Sequence, residues 1–298
     1  LLLLIWKYIG DDDPGKGHGS LDFAGFFSLL LFLLLSLVLF SLPSEDQTGI
    51  FGLFVLACAV LGLGLFIMIE RRASHPLADF QLMKRRPVAV FMVIGFLTVL
   101  TFFILLQMMP YIIRLPSGLA LSAEMVGLIL IPGTLCDMVA GPLTGRMIPV
   151  IGCRLPCIMG SLLLLGAGCL LFLLPISLAG LVVAWMLFSF GMSMVATADL
   201  IGVLDYVGEE RTAEATGVIQ SMQTLGGMIG PIVTGIILAT SQVSTMYQGE
   251  IWQVPETGTY HQVFLAVIII SSILLVISWV CVQDRRGGRY GRDTHSLI

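Results

Sequence analysis

Fourteen of the fifteen Lys and Arg residues of this chain fall on one side of a run of eight hydrophobic spans, and Arg114 alone falls on the other. Lys7, Lys16, Arg71, Arg72, Lys84, Arg85, Arg86, Arg146, Arg154, Arg211, Arg285, Arg286, Arg289 and Arg292 all sit in every second connector or beside it. A span counted wrongly would scramble this parity, so the asymmetry supports the count of eight. Basic loop residues are retained in the cytoplasm when a membrane protein inserts. The pattern therefore predicts an integral membrane protein, placed in a plasma (inner) membrane, with both visible ends in the cytoplasm.

The spans are expected at about 21–42, 50–69, 87–113, 123–148, 155–174, 180–204, 215–239 and 263–282. Each approaches the roughly 20 apolar residues that a helix needs to cross a bilayer. They are continuous apolar runs such as Leu29–Leu35, not segments of about ten residues with alternating polarity, which excludes a membrane β-barrel. Pro87 suits the first turn of the third span. The stretch from Ser241 to Tyr260 holds no Lys or Arg and is expected to be a long loop, with Tyr247, Trp252 and Tyr260 at the level of the lipid headgroups. Leu1–Ile9 is too short to span and has neither the basic region nor the cleavage site of a signal peptide, so it is expected to be the end of a helix whose start is missing.

Composition agrees. The chain is 57% hydrophobic and 11% charged, against about 25% charged for a soluble domain. No basic stripe exists outside the short connectors, which argues against a nucleic-acid partner. The six cysteines lie in or beside apolar segments, without a CxxC pair, and read as small buried hydrophobes. The four histidines are scattered over separate connectors and a helix edge. No metal site, cofactor site or catalytic constellation is expected, and hence no enzyme.

Two acids interrupt apolar spans. A charged Asp at a helix centre costs about 2.5–3.5 kcal/mol on insertion scales, so each calls for a reason. Asp137 sits in the fourth span and shares helical spacing with Gly133, Thr134, Gly141 and Thr144. Asp199 sits in the sixth span near its cytoplasmic end. Both are candidates for proton coupling, and Asp137 is expected to matter more. Gln220, Gln223 and Thr224 fall near one face of the seventh span, and a polar stripe on a membrane helix faces a cavity or a partner. With Gln107 and Met108 near the outer end of the third span, they are candidates for a cavity lining.

Three segments carry a resemblance. Ile69-Glu-Arg-Arg-Ala-Ser-His-Pro-Leu77 with Leu82-Met-Lys-Arg-Arg-Pro87 is similar to the connector after the extra helix pair of fourteen-helix drug:proton antiporters in the major facilitator superfamily. Gly141-Pro-Leu-Thr-Gly-Arg146 with Gly152-Cys-Arg154 resembles the C-terminal copy of that superfamily's cytoplasmic loop motif, although Pro149 stands where the motif carries an acid. Glu210-Arg-Thr-Ala-Glu-Ala-Thr-Gly217 with Gln223-Thr-Leu-Gly-Gly-Met-Ile-Gly-Pro231 resembles the loop and penultimate helix.

The resemblance implies an all-α membrane fold of eight transmembrane helices. Residues 1–20 would end a preceding helix and form a connector, 21–86 the extra pair with its linker, 87–283 the C-terminal six-helix transport half, and 284–298 a cytoplasmic tail. The N-terminal six-helix half, which carries the family's antiporter motif, would be missing. Asp137 and Asp199 occupy positions that are usually apolar or small in the family. Gly141, Gly145 and Gly152 would allow close approach and a tight turn, while Arg146 and Arg154 would anchor at the interface or latch helix ends. Gly226, Gly230 and Pro231 would serve packing or a flexible point. The expected function is proton-coupled export of drugs or other amphipathic small molecules by alternating access, with the bilayer, the substrate, protons and the absent half as partners. The alternatives are an exporter of one metabolite or siderophore, and a non-transporting scaffold or sensor.

Overall fold

The computed structural model describes residues 85–207, 212–247 and 250–282, together with scattered positions between 31 and 68. The chain divides into two compact units, Leu1–Asp79 and Phe80–Ile298. In the first unit the described positions, 54–58 among them, are helical. The expected segments at 1–20 and 284–298, and most of the extra helix pair, lie outside the described residues.

The second unit holds α1 (Arg86–Arg114), α2 (Ala123–Ile151), α3 (Arg154–Leu173), α4 (Leu178–Leu204), α5 (Thr212–Thr240), a hairpin of β1 (Gln242–Tyr247) and β2 (Glu250–Pro255), and α6 (Thr257–Val280). Among the described residues these six helices are long and apolar enough to cross a membrane. Local chemistry sets their ends. Pro87 opens α1. Gly152, in the left-handed region at φ 77°, stops α2 and lets α3 begin two residues later. The Ser177 hydroxyl accepts from the Gly180 amide at the start of α4.

α1 and α4 form the middle of the bundle. α5 lies along α1, α2 and α3 lie on α4, and α6 bridges α3 and α1. Backbones come closest where glycines meet. A Cβ on Gly160 would stand 2.6 Å from the Gly191 carbonyl oxygen, and one on Gly191 would stand 2.7 Å from that of Gly160, which presses α3 against α4. A Cβ on Gly226 would run into the Phe96 carbonyl, and one on Gly230 would stand 2.7 Å from Phe103 Cβ, which seats α5 on α1. The Thr234 hydroxyl then donates to the Ile104 carbonyl across the same seam at 3.0 Å. Lipid tails give helices no hydrophobic reason to associate, so close packing and such bonds hold them together.

The two ends of the bundle are chemically distinct. At one end the starts of α1 and α3 meet the ends of α4 and α6. Arg154 donates to the Trp279 carbonyl at 2.7 Å, and a cavity of about 70 Å³ is lined by Arg86, Pro87, Val90, Phe91, Tyr206, Cys281 and Val282. Arg85, Arg86, Arg146 and Arg154 belong to this basic end. At the other end, Ser117 bonds the Tyr260 hydroxyl at 2.6 Å, and the only Lys or Arg among the described residues is Arg114, in the last turn of α1.

Two expectations change. The stretch from Ser241 to Tyr260 is not a loop: it folds into an antiparallel hairpin pairing Val243 with Val254 and Thr245 with Trp252, so the described part is not wholly α-helical. β-Branched residues on both arms favour a pleated strand there. The last helix also starts at Thr257, so Tyr260 lies in its first turn, fully buried within the protein, and not in a loop. Trp252 remains exposed.

Candidate functional site

A fully buried carboxyl marks a polar junction of α4, α5 and α1. Asp199 on α4 is fully buried. Its Oδ2 accepts from Gln223 Nε2 of α5 at 3.2 Å, and its Oδ1 has no hydrogen-bond partner among the described residues. The space for the carboxyl comes from α1: a Cβ on Gly95 would stand 2.5 Å from Oδ2. An acceptor left unpaired away from water is costly, and native structures rarely keep one without a use.

A plug of aromatic side chains lies one turn closer to the basic end. Phe91 precedes Gly95 by four residues, and Gly202 follows Asp199 by three, so the two share the same α1–α4 seam. The Phe91 ring occupies the space a Cβ on Gly202 would need, and its centroid is 6.4 Å from that of Tyr206. Both rings line the cavity at the basic end.

The other expected residues are placed as follows. Gln220 and Thr224 are exposed on α5 beside half-buried Gln223, with the Thr224 hydroxyl donating back to the Gln220 carbonyl. Asp137 is exposed on α2, next to the packed stripe of Ile129, Gly133, Ala140, Thr144 and Ile148. Among the described residues its one hydrogen bond to another helix is through its backbone carbonyl, which accepts from Ser193 Oγ of α4 at 3.2 Å. The structure thus separates Asp137 from the buried Gly133 and Thr144 with which it shares helical spacing.

Gln107 is exposed near the end of α1, whereas Met108 is fully buried with Ile104 and Ile112 and faces no open surface. A 29-residue helix at the centre of a bundle has few lining positions left, and Met108 falls on the packed side. Gly141 makes ordinary contact with Ser193, and a Cβ on Gly145 would meet nothing within 4 Å among the described residues, which bring no close approach there. Gly226 and Gly230 provide it instead. Pro231 lies inside α5. Arg146 is exposed, and Arg154 ties the start of α3 to the last turn of α6.

Gly95, Phe91 and Gly202 were not among the expected site residues. A glycine in the middle of an apolar helix signals close approach by something, but the sequence does not say by what.

A six-helix bundle with apolar outer faces, one basic end and a polar junction in its interior defines a polytopic α-helical membrane protein. Residues 91–294 match the Major Facilitator Superfamily, and the chain belongs to that superfamily. It is 28% identical over 233 residues to the multidrug resistance protein Stp of Mycobacterium tuberculosis, covering 77% of this chain and 42% of the relative. It is 26% identical over 234 residues to the quinolone resistance protein NorB of Staphylococcus aureus, covering 76% of this chain and 50% of the relative. The chain spans half or less of the length of these relatives.

Proposed function

We propose that this chain forms the C-terminal transport half, with an extra helix pair ahead of it at 21–86, of a secondary-active exporter of drugs or other amphipathic small molecules. It acts with a second six-helix half, and a proton moving inward drives export. The basic end faces the cytoplasm of a plasma (inner) membrane. Gln107, Gln220 and Thr224 contribute to the substrate surface, and the connector from Arg146 to Arg154 tightens or loosens as the halves rock.

The observation that carries the reading is the unequal burial of the six helices. In the most apolar window, 61% of α1 is buried, but only 17% of α2 and 22% of α5. Those two helices carry Asp137 on one and Gln220 and Thr224 on the other, all exposed. A polar side chain turned toward lipid is costly, so such faces suit a water-filled path against a second half. The names of Stp and NorB support drugs as the substrate class.

The test is efflux of several lipophilic cations and a quinolone from inverted vesicles with an imposed proton gradient. Transport of several of these, abolished by collapsing the gradient, is expected. Transport of one metabolite and none of the drugs would replace this reading with a dedicated exporter. The chain 1–298 alone is expected to give no flux above protein-free vesicles, because one wall of the path is lacking.

A further inference from the structure

We propose that Asp199 is a proton-binding site served from the basic end of the bundle, with the Phe91 ring as the gate between the end cavity and the carboxyl. Gln223 then passes the state of the carboxyl to α5. This rests on the proton-coupled reading above and adds to it the residue, the route and the first moving part.

The site is built rather than incidental. The carboxyl is fully buried, its Oδ1 is unpaired, and Gly95 leaves the room in which it sits. Among the described residues no base neutralises it. On α1 the nearest charge is Arg86, nine residues from Gly95, which is about 13 Å of helix rise. α5 has no titratable residue from Ala215 to Thr240. On α2, Asp137 and Arg146 belong to a helix that meets α4 near Ser193 and Thr197. Asp199 lies about 200° around α4 from Thr197, on the opposite face. On α3, Arg154 is engaged with the last turn of α6, and the thiols of Cys153 and Cys157 are the titratable groups packed inward. Just past the end of α4 the described residues bring Asp205 and Tyr206, the latter at the cavity. Among the described residues, then, none supplies a counter-charge, and a proton can serve as one.

Its arrival changes the bonding between α4 and α5. Ionised, Asp199 accepts one bond from Gln223 Nε2. When water in the end cavity delivers a proton to Oδ1, an O–H bond forms and the carboxyl becomes a donor as well as an acceptor. It then donates to Gln223 Oε1 while Oδ2 still accepts from Nε2, a paired acid–amide ring. Release of the proton to water returns the single bond. Since Gln223 sits beside Gln220 and Thr224 on the exposed side of α5, the proton count at Asp199 sets how firmly that surface is held.

The route is short. Phe91 belongs at once to the cavity lining and to the seam at Gly202, one turn from Asp199. Rotation of this ring joins the cavity to the carboxyl, and its return seals the carboxyl off.

The experiment uses the full chain in lipid vesicles. Infrared spectra recorded against pH are expected to show a carbonyl band of a protonated acid that disappears as pH rises and is absent from Asp199→Asn. Gln223→Leu is expected to move the midpoint of that loss by about one pH unit. A water-soluble carbodiimide applied from the basic end is expected to modify Asp199 at least about tenfold faster in Phe91→Ala. If Phe91→Ala does not fold, Phe91→Leu, which removes the ring and keeps much of its bulk, is used for the same rate. A band that survives in Asp199→Asn, or never titrates, overturns the site. Equal modification rates from both ends, or no effect of Phe91 variants, overturn the route. In the two-half transporter the failures separate: export independent of the proton gradient with a titrating Asp199 removes the coupled reading and leaves the site, whereas proton-driven export with a silent Asp199 removes the site and leaves the coupled reading.

Discussion

Two acids, one on α2 and one on α4, sit in apolar helices of the same bundle and live in opposite surroundings. Asp137 projects from a helix with most of its surface uncovered, and its backbone carbonyl accepts a bond from Ser193 of α4. Asp199 is enclosed by three helices, with an amide on one side and a glycine cut away on the other. The difference shows what a membrane protein can do with a carboxyl. At an uncovered face it can meet substrate or water without altering the packing of its own half. At a helix junction it cannot change charge without changing how helices are joined. The first suits recognition and the second suits coupling.

The contrast can be broken in order of effect. The largest is on transport: Asp199→Leu is expected to slow proton-driven export at least about tenfold, equivalent to about 1.4 kcal/mol in a barrier. Asp137→Leu is expected to alter which compounds are exported while export keeps its dependence on the gradient. A reversed pair of outcomes in vesicle efflux would exchange the two roles. Next comes packing. Gly95→Ala places a methyl 2.5 Å from Asp199 Oδ2 and is expected to cost about 1–3 kcal/mol, read from thermal unfolding in detergent. Smaller still, Ser193→Ala removes the bond to the Asp137 carbonyl, and bonds of this kind between membrane helices average about 0.6 kcal/mol. Gly145→Ala meets open space and is expected to change stability by less than about 0.5 kcal/mol. A large loss at Gly145 with none at Gly95 would show the junction to be the less constrained of the two places.

The helices were legible because each is a long apolar run closed by charge, proline or glycine. The third span was expected at 87–113 and α1 runs Arg86–Arg114; the sixth was expected at 180–204 and α4 runs Leu178–Leu204. The hairpin was not legible, since six-residue strands beyond the helix ends carry a weak signal beside the hydropathy of the spans. At the junction, Asp199 and Gln223 each stood out alone as polar residues in apolar helices. Nothing in the sequence joined them, because they are 24 residues apart on different helices and meet only through packing. Gly95 was silent for the same reason. A glycine reports that something comes close, and its partner is a property of the assembled bundle.

The bond between Ser117 and Tyr260 at the end opposite the basic one has a consequence for watching the protein work. The last turn of α1, the fold-back after it and the first turn of α6 are joined there by that bond and by Thr257 donating to the Ser117 carbonyl at 3.4 Å. In the proposed transport cycle, spin labels at Pro116 and Gly258 are expected to keep one separation, and so to supply an internal ruler against which the displacement of every other helix can be measured.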